Sequence, residues 1–126
     1  MPARTVELSA ALATAKEVPP RTGAGQGFAV VSYNESAGTV SWRVYYTGLS
    51  GPATAAHFHG PAEKTANAGV AINLVAAGAP SSPMVGSASI TPAQAADLMA
   101  GRWYINIHTQ AAPAGEIRGQ VGTDPW

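Results

Sequence analysis

The side chains in this sequence that are best suited to metal chemistry are its three histidines. His57 and His59 lie one residue apart in the stretch AHFHGPA at residues 56–62, and His108 ends the stretch WYINIH. Imidazole binds copper, zinc and nickel, and three imidazoles with an open coordination position favour Cu(II) or Zn(II). The sequence has no cysteine, which excludes thiolate metal sites. The chemical hypothesis is therefore a three-histidine site for copper or zinc.

The spacing of the histidines bears on this hypothesis because side chains alternate between the two faces of a β-strand. His57 and His59 share one face of a predicted strand, and Ala56 and Phe58 point the other way. His108 lies opposite an apolar face formed by Trp103, Ile105 and Ile107. All three histidines thus fall on the polar sides of their strands. An H-x-H pair alone is weak evidence, since outward histidines on an edge strand can also have no role.

The hairpin after His108 supplies the candidate supporting residues. If the turn TQAAPAG closes symmetrically about Ala112, His108 lies across from Glu116 and Asn106 lies across from Arg118. We expect Arg118 to guide a small anion and Glu116 or Asn106 to orient His108. Tyr104 shares the same face; it either shields the metal and supplies a hydrogen bond or is an exposed cross-strand aromatic.

The elements that must position these residues are predicted to be β-strands. The chain has 126 residues, which suits a single domain over 1–126, with 11% charged residues, 14 glycines and 10 prolines. Short alternating segments separated by turn residues predict an all-β fold of about eight antiparallel strands, as a Greek-key barrel or an immunoglobulin-like sandwich. The formal net charge is zero and basic runs are absent, so nucleic acid is not an expected partner. No apolar run is long enough to span a membrane, so we expect a soluble chain.

One short helix is predicted near 92–100. Thr91 is placed as its N-cap, Pro92 at the first helical position, Gln94 in a capping box and Gly101 at its end. Met99 is expected on the inward face of this helix. Trp42 and Trp103, on apolar strand faces, are expected in the core.

Three ordered motifs resemble the CHRD domain family, named after the repeated domain of chordin. They are EVPP at residues 17–20, ATAAHFHGPA at 53–62 and GRWYINIHTQAAPAGEIRGQV at 101–121. The Gly60-Pro61 pair after His59 departs from the family, many members of which carry a more variable polar loop there. The resemblance covers nearly the whole chain and implies an all-β immunoglobulin-like or Greek-key barrel in an exported protein, periplasmic or extracellular.

The H-x-H strand is also similar to the copper-binding strand of Cu,Zn superoxide dismutases, although the zinc-loop histidines and the cysteine pair of that family are missing. This analogy implies a copper-dependent site that acts on superoxide. The alternatives are a copper carrier or storage module and a non-enzymatic extracellular structural or interaction domain. Glu17 is either an additional ligand or a turn-capping carboxylate. The oligomeric state is left open.

Overall fold

The alternating segments of the sequence form strands throughout the computed structural model, which describes residues 5–75 and 80–122. Eight antiparallel strands build a nearly closed barrel, accompanied by one short helix, so the predicted all-β class is confirmed. The strands are β1 (Thr5–Ala13), β2 (Gln26–Asn34), β3 (Thr39–Thr47), β4 (Ala53–His59), β5 (Val70–Asn73), β6 (Met84–Ser89), β7 (Tyr104–Thr109) and β8 (Ile117–Gln120), with the helix α1 (Pro92–Met99) between β6 and β7.

The strand order is not sequential. Neighbouring strands follow the order β5-β4-β7-β8-β1-β2-β3-β6. Strand β4 therefore pairs with β5 and β7, and not with β3, which precedes it in the chain. The outermost strands, β5 and β6, flank the gap of the barrel. Near this gap the indole Nε1 of Trp42 donates a hydrogen bond to the carbonyl oxygen of Leu74, over 3.1 Å. The crossovers bring residues 57–59 and residues 104–108, far apart in the chain, onto neighbouring strands.

The core lies inside the barrel and is lined by the apolar face of each strand. Phe58 is fully buried and packs against both tryptophans, with ring centroids 5.5 Å from Trp42 and 5.2 Å from Trp103. Trp42 and Trp103 are 5% and 1% exposed, which confirms their prediction as core residues. Because Phe58 points into this cluster, strand alternation directs His57 and His59 to the other face of β4.

Helix α1 begins as the sequence predicts. The Thr91 hydroxyl accepts a hydrogen bond from the Gln94 backbone N–H, and the Gln94 side chain accepts one from the Thr91 N–H, which completes the capping box. The inward placement of Met99 is wrong, since Met99 is 41% exposed and Leu98 is fully buried. Leu98 lies three residues after the buried Ala95 and therefore shares its face. Within the described ranges, no helix has the length and apolar character needed to cross a membrane.

Candidate metal centre

The three histidines lie on one face of two paired strands. In the antiparallel register of β4 and β7, His57 is opposite Asn106, His59 is opposite Tyr104, and His108 is opposite Ala55. Residues opposite each other across two strands point to the same face of the sheet. The hairpin register predicted from the sequence is also present, with Asn106 opposite Arg118 across β7 and β8.

The histidine rings converge closely enough to hold one metal ion. Their potential ligand nitrogens all lie within 4.8 Å of one another. The shortest separation, 3.1 Å, joins Nδ1 of His57 to Nε2 of His108. Two nitrogens about 2.05 Å from a common ion would be 3.1 Å apart at an angle of about 98° between them. The separation therefore suits both a hydrogen bond and two ligands of one ion.

Backbone carbonyls set the tautomers of two of these rings. Nδ1 of His59 is 2.9 Å from the carbonyl oxygen of Ala68, and Nδ1 of His108 is 2.9 Å from that of Pro113. A carbonyl oxygen only accepts hydrogen bonds, so each Nδ1 carries the proton and each Nε2 presents a lone pair. Histidines that bind metals are commonly fixed in this way. These partners could not be predicted from the sequence, because every residue has a backbone carbonyl and the residue type does not show which one accepts a hydrogen bond.

Burial favours the neutral form of His57 and His59. His59 and His108 are each 8% exposed, and His57 is half-buried at the rim. Burial lowers the pKa of His57, and the neighbouring His108 and His59 lower it further. Burial also lowers the pKa of His59, against the opposing effect of its hydrogen bond to Ala68. Neutral imidazole is the form that binds a metal, so the lone pairs are available near neutral pH.

Residues 60–69, which connect β4 to β5 and are called the 60–69 loop below, cover this polar face. The Tyr104 hydroxyl accepts a hydrogen bond from the Ala68 N–H and donates one to the Ala68 carbonyl, over 3.0 and 3.2 Å. Its ring stacks on His59, with centroids 4.9 Å apart and planes at 4°. Tyr104 is only 2% exposed, so the alternative of an exposed aromatic is wrong. Strand alternation correctly predicted that Tyr104 shares a face with His108, but it could not predict that the 60–69 loop covers this face.

Arg118 fastens the loop to the sheet. Its guanidinium donates hydrogen bonds to the Asn67 side chain and to the carbonyls of Glu63 and Ala66, over 2.9, 3.1 and 2.7 Å. The same group lies over the Tyr104 ring, 3.5 Å from its centroid. Arg118 is 1% exposed, and its pKa is lowered by burial although Tyr104 and Glu17 oppose this. Anion guidance by Arg118 stays a prediction, whereas its contacts are those of a loop anchor.

Glu116 has partners other than His108. Its carboxylate accepts hydrogen bonds from the backbone N–H and hydroxyl of Ser50 and from the Thr109 hydroxyl. Burial acts to raise its pKa, but these hydrogen bonds prevail and lower it. That Glu116 or Asn106 orients His108 stays a prediction, because the ring's own Nδ1 contact is with Pro113.

Glu17 reaches the site from the far side of β8. It is 5% exposed, and its Oε2 atom is buried without a hydrogen-bond partner. Burial raises its pKa to about 7, although Arg118, the Asn106 side chain and Arg21 pull in the opposite direction. Gly115, at φ +125°, allows this approach, because a Cβ there would overlap the Asn106 amide and the Glu17 carboxylate. Direct ligation of a metal by Glu17 stays a prediction.

Comparison with known proteins places this fold and site in a family. The CHRD domain family model matches residues 8–121, which include both histidine segments. CHRD domains are generally extracellular or exported. Searches of curated proteins and of solved structures find no significant match. Since the family model covers nearly the whole sequence, this chain belongs to the CHRD domain family.

Proposed function

We propose that this domain binds one copper ion through His57, His59 and His108 and that the bound ion reacts with superoxide. The observation that carries the proposal is the state of His59: its Nδ1–H is bound to Ala68, while its Nε2 is buried and has no hydrogen-bond partner. A buried lone pair without a partner is costly. An ion shared with His57 and His108 would satisfy it, and these rings lie within ligand distance of one another.

Copper is favoured over zinc by the donor set and by intrinsic affinity. Divalent copper binds nitrogen sites more tightly than divalent zinc, and no thiolate is available to select another ion. Three protein ligands also leave a coordination position for a small molecule. Copper held by these residues would supply redox chemistry, by which two superoxide ions and two protons would be converted into O2 and H2O2.

The surrounding residues would set access to the ion. The 60–69 loop and Tyr104 close the site on the His59 side, so the half-buried His57 marks the open side. The donors of Arg118 contact the loop, so its charge would act on an approaching anion through its long-range field rather than by direct contact. We also propose an exported location for this chain, periplasmic or extracellular, in keeping with its family.

The second candidate is a domain whose histidines serve structure or partner binding. Nδ1–H of His57 can donate to Nε2 of His108 over 3.1 Å, which would satisfy these two rings without an ion. This arrangement does not account for His59 Nε2. A copper carrier or storage module would use the same three ligands as the enzyme and would differ only in lacking turnover.

Copper titration followed by electron paramagnetic resonance tests the binding proposal. We expect one Cu(II) per chain with hyperfine coupling to several nitrogens, and loss of this signal in the His57→Ala/His59→Ala variant. Thr54→Ala, an exposed change on the same strand, is the matched control and should bind like the wild type. Binding no tighter than that of adventitious copper, or equal binding by the histidine variant, would refute the proposal. Competition with Zn(II) identifies the preferred ion.

A superoxide-consumption assay on the copper-loaded protein then separates an enzyme from a carrier. We expect faster consumption than in the histidine variant treated with the same copper and chelator. Activity equal to that of chelated free copper would refute the proposal that the bound ion reacts with superoxide. The domain would then be a copper-binding module without this activity.

A further inference from the structure

We propose that Asn106 is the fourth ligand of the metal centre and contributes its side-chain oxygen, Oδ1. The inference rests on the proposed three-histidine site and extends it from three nitrogen donors to three nitrogens and one oxygen, so that a small molecule would bind as a fifth ligand.

Asn106 occupies the centre of the polar face. It is opposite His57 on β4 and opposite Arg118 on β8, and His108 lies two residues away on the same strand and face. His59 is its diagonal neighbour, within reach of a side chain on an adjacent strand. Asn106 is 3% exposed, so each of its polar atoms needs a partner inside the protein.

The orientation of the Asn106 amide follows from its surroundings. Nδ2 donates a hydrogen bond to the carbonyl oxygen of Ala114 over 3.2 Å. The Glu17 carboxylate interacts with the same side chain as a hydrogen-bond acceptor. The Ala114 carbonyl can only accept a hydrogen bond, so a flipped amide would bring two acceptor oxygens together. Oδ1 must therefore point away from Ala114.

The ring of His59 is a neighbour of Asn106 on the same face of β4 and β7. The Asn106 side chain interacts with His59 and opposes the lowering of its pKa by burial. Because Nδ1 of His59 is bound to Ala68, this contact falls on Nε2. The geometry does not make a hydrogen bond, and both Oδ1 of Asn106 and Nε2 of His59 are buried without a partner.

Two neighbouring side chains on the face where the histidines converge thus each bury an acceptor without a partner. A neutral ring whose proton is on Nδ1 cannot donate from Nε2, so the two atoms are satisfied only by a donor or a cation between them. A metal ion would satisfy both atoms, and His57 and His108, whose nitrogens lie within 4.8 Å of that of His59, would complete its ligand set. A water molecule is the competing occupant.

The oxygen donor would affect which ion and oxidation state the site prefers. Amide oxygen is a hard ligand that suits divalent ions, whereas Cu(I) prefers softer donors. We expect Asn106 to tighten the binding of Zn(II) and Cu(II) and to leave the binding of Cu(I) nearly unchanged.

The test compares Zn(II) and Cu(I) affinities, by chelator competition, in the wild type, Asn106→Leu and Asn73→Leu. Asn73 is the exposed neighbour of His57 on β5, so it controls for the same substitution on the other side of that ligand. In Asn106→Leu we expect Zn(II) affinity to fall about 10- to 100-fold, with Cu(I) affinity changed less than about threefold. Thermal unfolding without metal verifies that each variant is folded.

A measurement on the wild type avoids dependence on that variant. Electron–nuclear double resonance of the Cu(II) protein with ¹³C-labelled asparagine should show a ¹³C coupling that is absent in unlabelled protein and present in Asn73→Leu. Absence of the coupling, or Zn(II) affinity unchanged in Asn106→Leu, would overturn the ligand assignment and leave the three-histidine site intact. Equal losses for Zn(II) and Cu(I) would also overturn it, in favour of a positioning role. Failure of the wild type to bind either ion would instead refute the proposed function.

Discussion

Glu17→Gln is expected to stabilise the metal-free protein above pH 7 and to leave its stability nearly unchanged at pH 4. The pKa of Glu17 is about 7 in the folded protein and 4.5 for an ordinary glutamate, and burial is the main cause. A carboxyl group with a raised pKa is preferentially protonated in the folded state. Its contribution to stability is therefore complete below pH 4.5 and is lost as the pH rises to 7.

The magnitude follows from the size of the shift. At about 1.4 kcal/mol per pH unit, the change in pKa from 4.5 to about 7 corresponds to at most about 3.5 kcal/mol. Some solvent screening reduces this, so we expect about 2–3 kcal/mol. Glutamine has the shape of the protonated acid and does not ionise. The stability difference between variant and wild type should therefore grow by this amount over that pH interval.

Urea unfolding in the presence of a chelator, repeated from pH 4 to pH 8, measures this difference. His57 and His59 have lowered pKa values, so their contributions are lost as the pH falls below 6.5, in both proteins alike. Glu63→Gln, at an exposed side chain, is the control and should change stability by less than about 0.5 kcal/mol throughout. A Glu17→Gln protein that is less stable than wild type at pH 8 would show that Glu17 is ionised and held by Arg118, which would refute the reasoning.

Two further changes test the packing around the site. Arg118→Lys keeps the charge but loses the guanidinium contacts with the 60–69 loop and Tyr104. We expect the free energy of urea unfolding to fall by about 2–4 kcal/mol and amide exchange at Ala68 to become faster. Unchanged stability would contradict the anchoring role of Arg118. Gly119→Ala places a Cβ against the backbone carbonyl of Ala11 and should lower the free energy of unfolding by about 1–3 kcal/mol. Gly51→Ala places a Cβ in open space and should change the free energy of unfolding by less than about 0.5 kcal/mol. Similar effects of the two changes would show that β1 and β8 are not in such close contact.

Local features of the sequence predicted much of this protein because they carry their own geometry. The capping box at Thr91 and the centre of the β7–β8 hairpin were predicted correctly, since each depends on residues close together in the chain. Strand parity gave the shared face of His57, His59 and His108 for the same reason. The all-β class followed from repeated alternation and turn residues.

Long-range partners could not be predicted from such local signals. Glu116 pairs with Ser50, 66 positions away, and Arg118 contacts a loop more than 50 positions away. Strand parity gave the polar face, but it could not give the 60–69 loop, which covers this face at His59. All six residues of β7 are buried, so both faces of this strand are covered. An alternating sequence pattern predicts one buried face and cannot predict that a distant loop covers the other.

The pairing of β4 with β7 also determines when an ion can be held during folding. His57 and His108 are 51 positions apart, so an unfolded chain offers only the local His57–His59 pair as a chelate. The full donor set exists only after a slow, long-range strand pairing has formed. The metal ion would therefore bind after the chain has folded and would not direct folding. Once bound, it would stabilise the folded barrel by mass action. Metal release in denaturant should then coincide with separation of these two strands.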